Sequence, residues 1–209
     1  IISGLVGSEM CIRDRSKTAA ENVTVTLGTS GSATEGTDYG SLSNITVTAG
    51  SLTGTTTFTP TDDSLYDATS NETATVSIDS VSGGDALENG TQSVTITITD
   101  NESAPTVTLT STASSIDENS TSTVTVTATL SVATFEDVTV SIDGTGGTGT
   151  EGTDFGTVSD ITISAGNTTG TATLDPTDDS VYEGDETAGI SISGVSGGGA
   201  SESGSQSVS

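Results

Sequence analysis

Clustered carboxylates are the residues of this chain whose types and spacing could do chemistry. They lie in segments rich in Gly, Asp, Ser and Asn, which are typical of turns between strands. The second half of the chain carries Asp117, Glu118, Glu151, Asp154, Asp178, Asp179, Glu183, Asp185 and Glu186. The first half carries Glu35, Asp38, Asp62, Asp63, Asp67, Glu72, Asp100 and Glu102. Calcium takes six to eight oxygen ligands at about 2.3–2.6 Å, so such clusters predict calcium sites if loops bring them together.

The charge balance of the chain supports this interpretation. All three basic residues lie at Arg13, Arg15 and Lys17, the chain has no His, and the formal net charge is −26. Within residues 18–209 no salt bridge between side chains is possible, so each carboxylate there must be solvated, bonded to backbone N–H groups or neutralised by a cation from outside this region. The same charge excludes nucleic acid and anionic membrane as partners, because both require a positive surface.

Two other interpretations of the acidic residues remain open at this point. An Asp-Asp pair after Pro-Thr is typical of an ordinary turn, since Asp bonds to its own backbone there. Two copies of the whole set, without counter-ions, favour calcium over the turn alone. Paired carboxylates could also hydrolyse a glycoside. Carbohydrate sites normally use aromatic side chains on which the sugar rings stack, and this chain has only three Tyr, three Phe and no Trp. Its single Cys, Cys11, lies in the atypical N-terminal segment and offers no usable nucleophile. We therefore predict that it is not an enzyme.

The elements that must position these residues are β-strands. Val94, Ile96 and Ile98 alternate with threonines, which gives one apolar and one polar face. The same alternation predicts strands at 22–27, 42–49, 52–59, 72–79, 91–99, 106–112, 122–130, 137–143, 158–164, 169–175 and 186–193. The sequence therefore predicts an all-β protein.

The chain repeats itself once. Glu35–Gly40 recurs 116 residues later as Glu151–Gly156, and Pro60–Tyr66 recurs at the same offset as Pro176–Tyr182. This period suits one β-sandwich of about 100 residues. We predict two tandem immunoglobulin-like (Greek-key) β-sandwiches, both incomplete at the ends of a fragment, with the first at 18–103 and the second at 104–209.

Residues 1–17 differ from the rest of the chain. The stretch Leu5–Arg15 resembles the conceptual translation of a sequencing-library adaptor, and the composition changes abruptly at Thr18. We predict that residues 1–17 are foreign to the natural protein. The chain begins with Ile1 and ends within a strand-like segment, which favours a piece of a longer protein.

Two acidic elements that occur in the same order in both repeats, and a third that follows the last strand of the first repeat, resemble the Calx-beta domain of sodium–calcium exchanger loops and large surface proteins. They are Glu-Gly-Thr-Asp-Tyr/Phe, the Asp-Asp run followed by Glu, and the acidic segment after the last strand. The resemblance implies an immunoglobulin-like fold and calcium binding by these acids. In the second repeat it implies the ligands Glu118, Asp154, Asp178, Asp179, Glu183 and Glu186. In the first repeat it implies Asp38, Asp62, Asp63, Glu72 and Asp100.

From these observations we expect a calcium-binding structural or adhesive module of a large secreted or cell-surface protein. Calcium would bind the clustered loop carboxylates and stiffen the tandem. Partners would be calcium ions and, through the parent protein, surface proteins or glycans. No apolar run approaches the roughly 20 residues of a membrane span, so no direct membrane insertion is expected. The alternatives are a metal-independent acidic spacer and a non-catalytic part of a polysaccharide-processing enzyme.

Overall fold

A computed structural model describes residues 17–68 and 71–209 of the chain. The described residues form β-strands and no helix, and so contain no helix long and apolar enough to cross a membrane. The strands are β1 Val23–Gly31, β2 Ile45–Val47, β3 Leu65–Tyr66, β4 Glu72–Ser82, β5 Ser93–Ile98, β6 Thr106–Ser111, β7 Val124–Leu130, β8 Ala133–Thr134, β9 Val138–Gly147, β10 Ile161–Ile163, β11 Thr169–Leu174, β12 Ala188–Ser196, β13 Ser201–Glu202 and β14 Ser207–Val208. The all-β prediction is confirmed.

The described residues form two compact units. The first contains residues 17–63 and 71–99, and the second contains residues 64–68 and 100–209. The domain bounds of 18–103 and 104–209 stay predictions. The prediction that residues 1–17 are foreign also stays a prediction, and its residues 1–16 lie outside the described residues.

The second unit is a sandwich of two four-stranded sheets, in the orders β10-β9-β12-β14 and β11-β7-β6-β13. Alternate residues of each strand point between the sheets, and β7 is the clearest case, with Val124, Val126, Ala128 and Leu130 all buried. They pack with buried residues of the facing sheet, including Ile190. Val and Thr favour strands because their branched side chains fit a pleated surface. This sandwich confirms the predicted architecture and leaves the strand-connecting loops at its ends.

The first unit contains a four-stranded sheet in the order β2-β1-β4-β5, which repeats the order β10-β9-β12-β14. Its core includes Tyr39 and Phe58, whose stacked rings have centroids 4.6 Å apart. The prediction of a strand at 52–59 is wrong, because these residues form no strand. The next residue, Pro60, makes only an isolated bridge with Tyr39. The equivalent β11 is a strand because it pairs with β7. The residues 116 positions before β7 are 8–14, which lie outside the described residues.

Three short strands were not predicted, namely β3, β8 and β13. Strand β3 pairs with β8 in parallel, and β13 pairs with β6 in parallel, each over two residues. Two residues carry no readable alternation, so only the neighbouring backbone makes them strands. The other predicted strands are confirmed with shifted ends.

Strands β9 and β12 lie unusually close together at Gly146 and Gly189, near the end of the second sandwich that carries the acidic residues. A Cβ atom at Gly189 would lie 2.7 Å from the backbone carbon of Gly146, closer than real side chains approach. A Cβ atom at Gly194, in the same strand and also without a positive φ, would meet nothing within 4 Å. Glycine at position 189 is therefore required by packing.

We expect Gly189→Ala to lower the free energy of unfolding of the second unit by about 1–3 kcal/mol, as overpacking does. Gly194→Ala is the matched control, and we expect it to be neutral or slightly stabilising because it reduces the entropy of the unfolded chain. Urea unfolding of both variants measures the difference. Equal stabilities would contradict the close contact of the two strands.

Candidate metal centre

A tight turn holds the first acidic residue of the site. The backbone N–H of Thr150 donates to Asp154 Oδ2 at 2.6 Å, and the N–H of Asp154 donates to the carbonyl of Thr150 at 2.9 Å. Gly152 adopts a φ of 85°, which glycine permits, and its N–H donates to the carbonyl of Phe155 at 2.7 Å. Phe155 is buried in the core and anchors the turn. One carboxylate oxygen of Asp154 therefore fixes the loop, and Oδ1 is left to face other groups.

Backbone bonds join this turn to the Asp-Asp run, which is distant in sequence. The N–H of Thr177 donates to the carbonyl of Asp154, and the N–H of Gly156 donates to the carbonyl of Asp175, both at 2.9 Å. The first unit repeats the arrangement, with Thr61 donating to the carbonyl of Asp38 at 2.9 Å. Two motifs separated by some twenty residues are thus parts of one structural element.

Two further segments complete the site. The N–H of Asp179 donates to Glu118 Oε1 at 3.0 Å, which brings the early acidic residue of the repeat beside the Asp-Asp run. The carboxylate of Asp179 turns back and accepts from the N–H of Val181 at 2.6 Å. On the other side, the carbonyl of Thr187 accepts from Thr148 and Gly149, each at 3.0 Å, which fixes the chain next to Glu186.

The result is a compact group of carboxylates. Asp154, Glu183 and Glu186 each offer a carboxylate oxygen, and these three oxygens lie within 4.8 Å of one another. Oxygens bound to one calcium ion at about 2.3–2.6 Å can be at most about 4.6–5.2 Å apart, so a single ion could touch all three. Glu118 and Asp178 line the same cavity. Five of the six acids predicted for the second repeat are thereby placed at the cavity, and Asp179 is bonded to one of them.

The electrostatics of the group show mutual repulsion. Desolvation is the largest cause that raises the pKa of Glu183, and the negative charges of Asp179, Asp154 and Glu118 raise it further. Desolvation also raises the pKa of Glu186, followed by the charge of Asp154 and a hydrogen bond with it. Both glutamate side chains are exposed, so water screens these effects. Nevertheless the raised pKa values of Glu183 and Glu186 indicate that the group is more stable when a glutamate is protonated or a cation is bound.

The raised pKa values predict an unusual pH dependence of the metal-free protein. A carboxyl group whose pKa is higher in the folded than in the unfolded state stabilises the fold below its unfolded value, and this contribution is lost as the pH rises through the folded value. In chelator, we therefore expect the melting temperature to rise as the pH falls from neutral toward the ordinary glutamate value of 4.5. Thermal unfolding across this range measures the slope. The variant Glu183→Gln/Glu186→Gln should show a flatter slope, and an unchanged slope would contradict the repulsion.

The acids predicted for the first repeat are distributed differently. Asp38 accepts from the N–H of Thr34 at 2.6 Å, as Asp154 does from Thr150. Asp100 belongs to the second unit, where its carboxylate accepts from the N–H groups of Asp67 at 2.9 Å and Glu102 at 3.2 Å. Desolvation raises the pKa of Asp100, but these hydrogen bonds outweigh it and hold the pKa below its ordinary value.

The remaining predicted acids of that repeat, Asp62, Asp63 and Glu72, lie in the first unit. Within residues 17–68 and 71–209, the only group of three or more acids close enough to share an ion is Asp154 with Glu183 and Glu186. The ligand set Asp38, Asp62, Asp63, Glu72 and Asp100 therefore stays a prediction, with less support from the structure than the set in the second unit.

The family resemblance implied Asp38 and Asp154 as ligands and left out Glu35 and Glu151 of the same repeated motif, and the structure shows what these two glutamates do. Glu151 Oε1 accepts from the N–H of Val158 at 3.1 Å. Its counterpart Glu35 accepts from the N–H of Leu42 at 3.1 Å and from the hydroxyl of Thr29 at 3.2 Å. These glutamates hold the loop that follows the turn. Asp117 and Asp185 also line the acidic cavity without having been chosen as ligands, and their place in the same acidic runs was the available signal.

Comparison with known proteins gives two findings. The family model described as "Calx-beta domain" matches the chain twice, over residues 5–102 and 100–206. A solved structure titled "Crystal structure of CBD12 from CALX1.2" is similar, with 19% sequence identity, a TM-score of 0.39, and coverage of 88% of this chain and 71% of that chain. No curated protein matches the chain.

Proposed function

Since this chain belongs to the Calx-beta domain family, we propose that its second unit binds calcium through the carboxylates of Asp154, Glu183 and Glu186. The observation that carries this proposal is that one carboxylate oxygen of each residue lies within 4.8 Å of the other two, which suits one calcium ion. The raised pKa values of the two glutamates support it, because a cation would relieve the same repulsion that protonation relieves. Glu118, Asp178 and Asp179 complete the proposed ligand set.

The wider role is a calcium-stabilised structural or adhesive module of a secreted or cell-surface protein. Binding would add the missing positive charge to a region that has no Lys, Arg or His after residue 17. Family membership supports a binding module rather than an enzyme. Stiffening of the tandem by calcium, contact with surface proteins or glycans, and the extracellular location are parts of the same proposal.

Calorimetric titration with calcium tests the proposal directly. We expect saturable binding of at least one ion, strong loss of binding in Glu183→Gln/Glu186→Gln, and weaker binding of magnesium, which demands octahedral geometry and dehydrates reluctantly. The control Glu136→Gln/Glu202→Gln removes the same number of charges from the second unit, and neither residue lines the acidic cavity. Equal binding by both variants, or no binding by the unchanged protein, would favour the metal-independent spacer.

A further inference from the structure

The turn between β4 and β5 contains the only asparagine of the chain that glycine follows, in the pair Asn89-Gly90. The other six asparagines precede Val, Ile, Glu, Ser or Thr. An asparagine side chain can react with the backbone nitrogen of the next residue, and a side chain on that residue hinders the approach. Glycine has no Cβ atom and leaves its nitrogen accessible. The sequence therefore makes Asn89 the asparagine best suited to this reaction.

The folded turn leaves both reacting groups accessible. Asn89 and Gly90 are exposed, and Gly90 adopts a φ of 69°. Within the described residues, neither the side chain of Asn89 nor the N–H of Gly90 forms a hydrogen bond. The side-chain oxygen of Asn22, by contrast, accepts from the N–H of Ala49 at 2.9 Å and is held in place. Asn89 thus combines the favourable neighbour with an unrestrained side chain.

Hydrogen bonds of Gln92 close this turn. Its N–H donates to Glu88 Oε1 at 3.1 Å, and its side-chain amide donates to the backbone carbonyl of Asn89 at 2.9 Å. Its carbonyl accepts from the N–H of Ile78 at 3.2 Å, which joins the turn to β4. The length of main chain between Glu88 and Gln92 is therefore matched to these contacts at the start of β5.

The second repeat forms the same turn with a residue that cannot react in this way. Gln206 makes the equivalent bonds to Glu202 Oε1 and to the carbonyl of Ser203. Gly204 adopts a φ of 67° and is exposed, although β13 pairs with β6 next to it. The exposure of the glycine is therefore a property of the turn itself, and serine in place of asparagine leaves the turn intact.

We propose that Asn89 is a site of spontaneous deamidation in the folded protein, with water as its only co-reactant. The nitrogen of Gly90 loses its proton and bonds to the side-chain carbonyl carbon of Asn89, and the side-chain NH2 group takes up a proton and leaves as ammonia. Water then opens the resulting cyclic succinimide. Cleavage of the new C–N bond gives aspartate, whereas cleavage of the original peptide bond gives isoaspartate, in which the main chain runs through the side chain.

Isoaspartate alters the turn more than aspartate does. It adds one carbon atom to the main chain between Glu88 and Gln92, and it converts the carbonyl that accepts from Gln92 into part of a carboxylate. The bond from the N–H of Gln92 to Glu88 Oε1 then loses its geometry. We expect the Gln92 N–H of the isoaspartyl form to exchange about tenfold faster, which corresponds to about 1.4 kcal/mol, within the net value of one hydrogen bond.

Storage of the protein without denaturant in mildly alkaline buffer, followed by peptide mapping against synthetic standards, tests the proposal. We expect Asn89 to convert faster than the other asparagines, with more isoaspartate than aspartate. The rate should rise with pH, because the nitrogen of Gly90 must lose its proton. Conversion no faster than at Asn119, which precedes Ser120, would overturn the proposal. Conversion that occurs in urea but not in the folded protein would overturn it as well.

Asn89→Ser is the matched variant, because Ser203 holds the same turn in the second unit. It should lose all conversion at this position and melt at the temperature of the freshly prepared unchanged protein. Asn89→Asp supplies the aspartyl product without passing through the ring, so it should keep slow exchange at Gln92. Equal exchange at Gln92 in Asn89→Asp and in the isoaspartyl form would overturn the proposed change of the turn.

Discussion

Calcium at a hundredfold excess over its Kd is expected to raise the free energy of unfolding of the second unit by about 2.7 kcal/mol for each bound ion. The reason is linkage: the acids at the cavity come from segments far apart in sequence, so only the folded unit assembles the site. For a domain of this size the melting temperature should rise by roughly 10–20 °C. The gain of about 2.7 kcal/mol per ion is a large fraction of the about 5–15 kcal/mol that stabilises a typical domain.

Thermal unfolding in calcium, magnesium and chelator measures this effect. Glu183→Gln/Glu186→Gln should melt at nearly the same temperature in calcium and in chelator, because it lacks two of the three carboxylates that we propose to hold the ion. The control Glu136→Gln/Glu202→Gln should keep the calcium-dependent shift. Identical melting curves for the unchanged protein in all three conditions would rule out a stabilising calcium site.

Asp154→Asn is expected to lower the calcium affinity of the second unit by at least about 10–100-fold. Loss of groups that only orient a ligand already costs this much, and Asp154 is proposed as a direct ligand. The Asn side chain keeps an oxygen that can accept from Thr150, so the turn should persist. In chelator the variant should be as stable as the unchanged protein or more stable, because repulsion with Glu183 and Glu186 is reduced.

Glu151→Gln is the matched control for Asp154→Asn. It lies in the same loop and removes one charge, and its side-chain oxygen can still accept from Val158. Calorimetric titration of both variants should show a much smaller loss of affinity for Glu151→Gln. If the two variants lose affinity equally, only the overall negative charge of the loop matters and Asp154 is not a specific ligand.

The local alternation of the chain was enough to predict most strands. Val, Ile and Leu alternating with Thr and Ser produce half-buried strands wherever a neighbour is present, as in β7 and β11. The internal repeat predicted the tandem organisation, because similar sequences that recur about one domain length apart adopt similar folds. The prediction of calcium followed from the clustered carboxylates and from the absence of basic residues after Lys17, and both are properties of the sequence that folding does not change.

Only the tertiary structure decided which segments form regular strands and which carboxylates face one another, because both depend on residues distant in sequence. The residues at 52–59 alternate like β11 but form no regular strand, because pairing rather than propensity completes a strand. The pairing of β12 with β9 and the turn at Asp154 bring the carboxylate of Glu186 next to that of Asp154. Glu151 precedes Asp154 by only three residues, but its carboxylate accepts from the N–H of Val158 instead. Sequence spacing alone could not distinguish these two acids, because the direction of each side chain depends on the backbone groups that surround it.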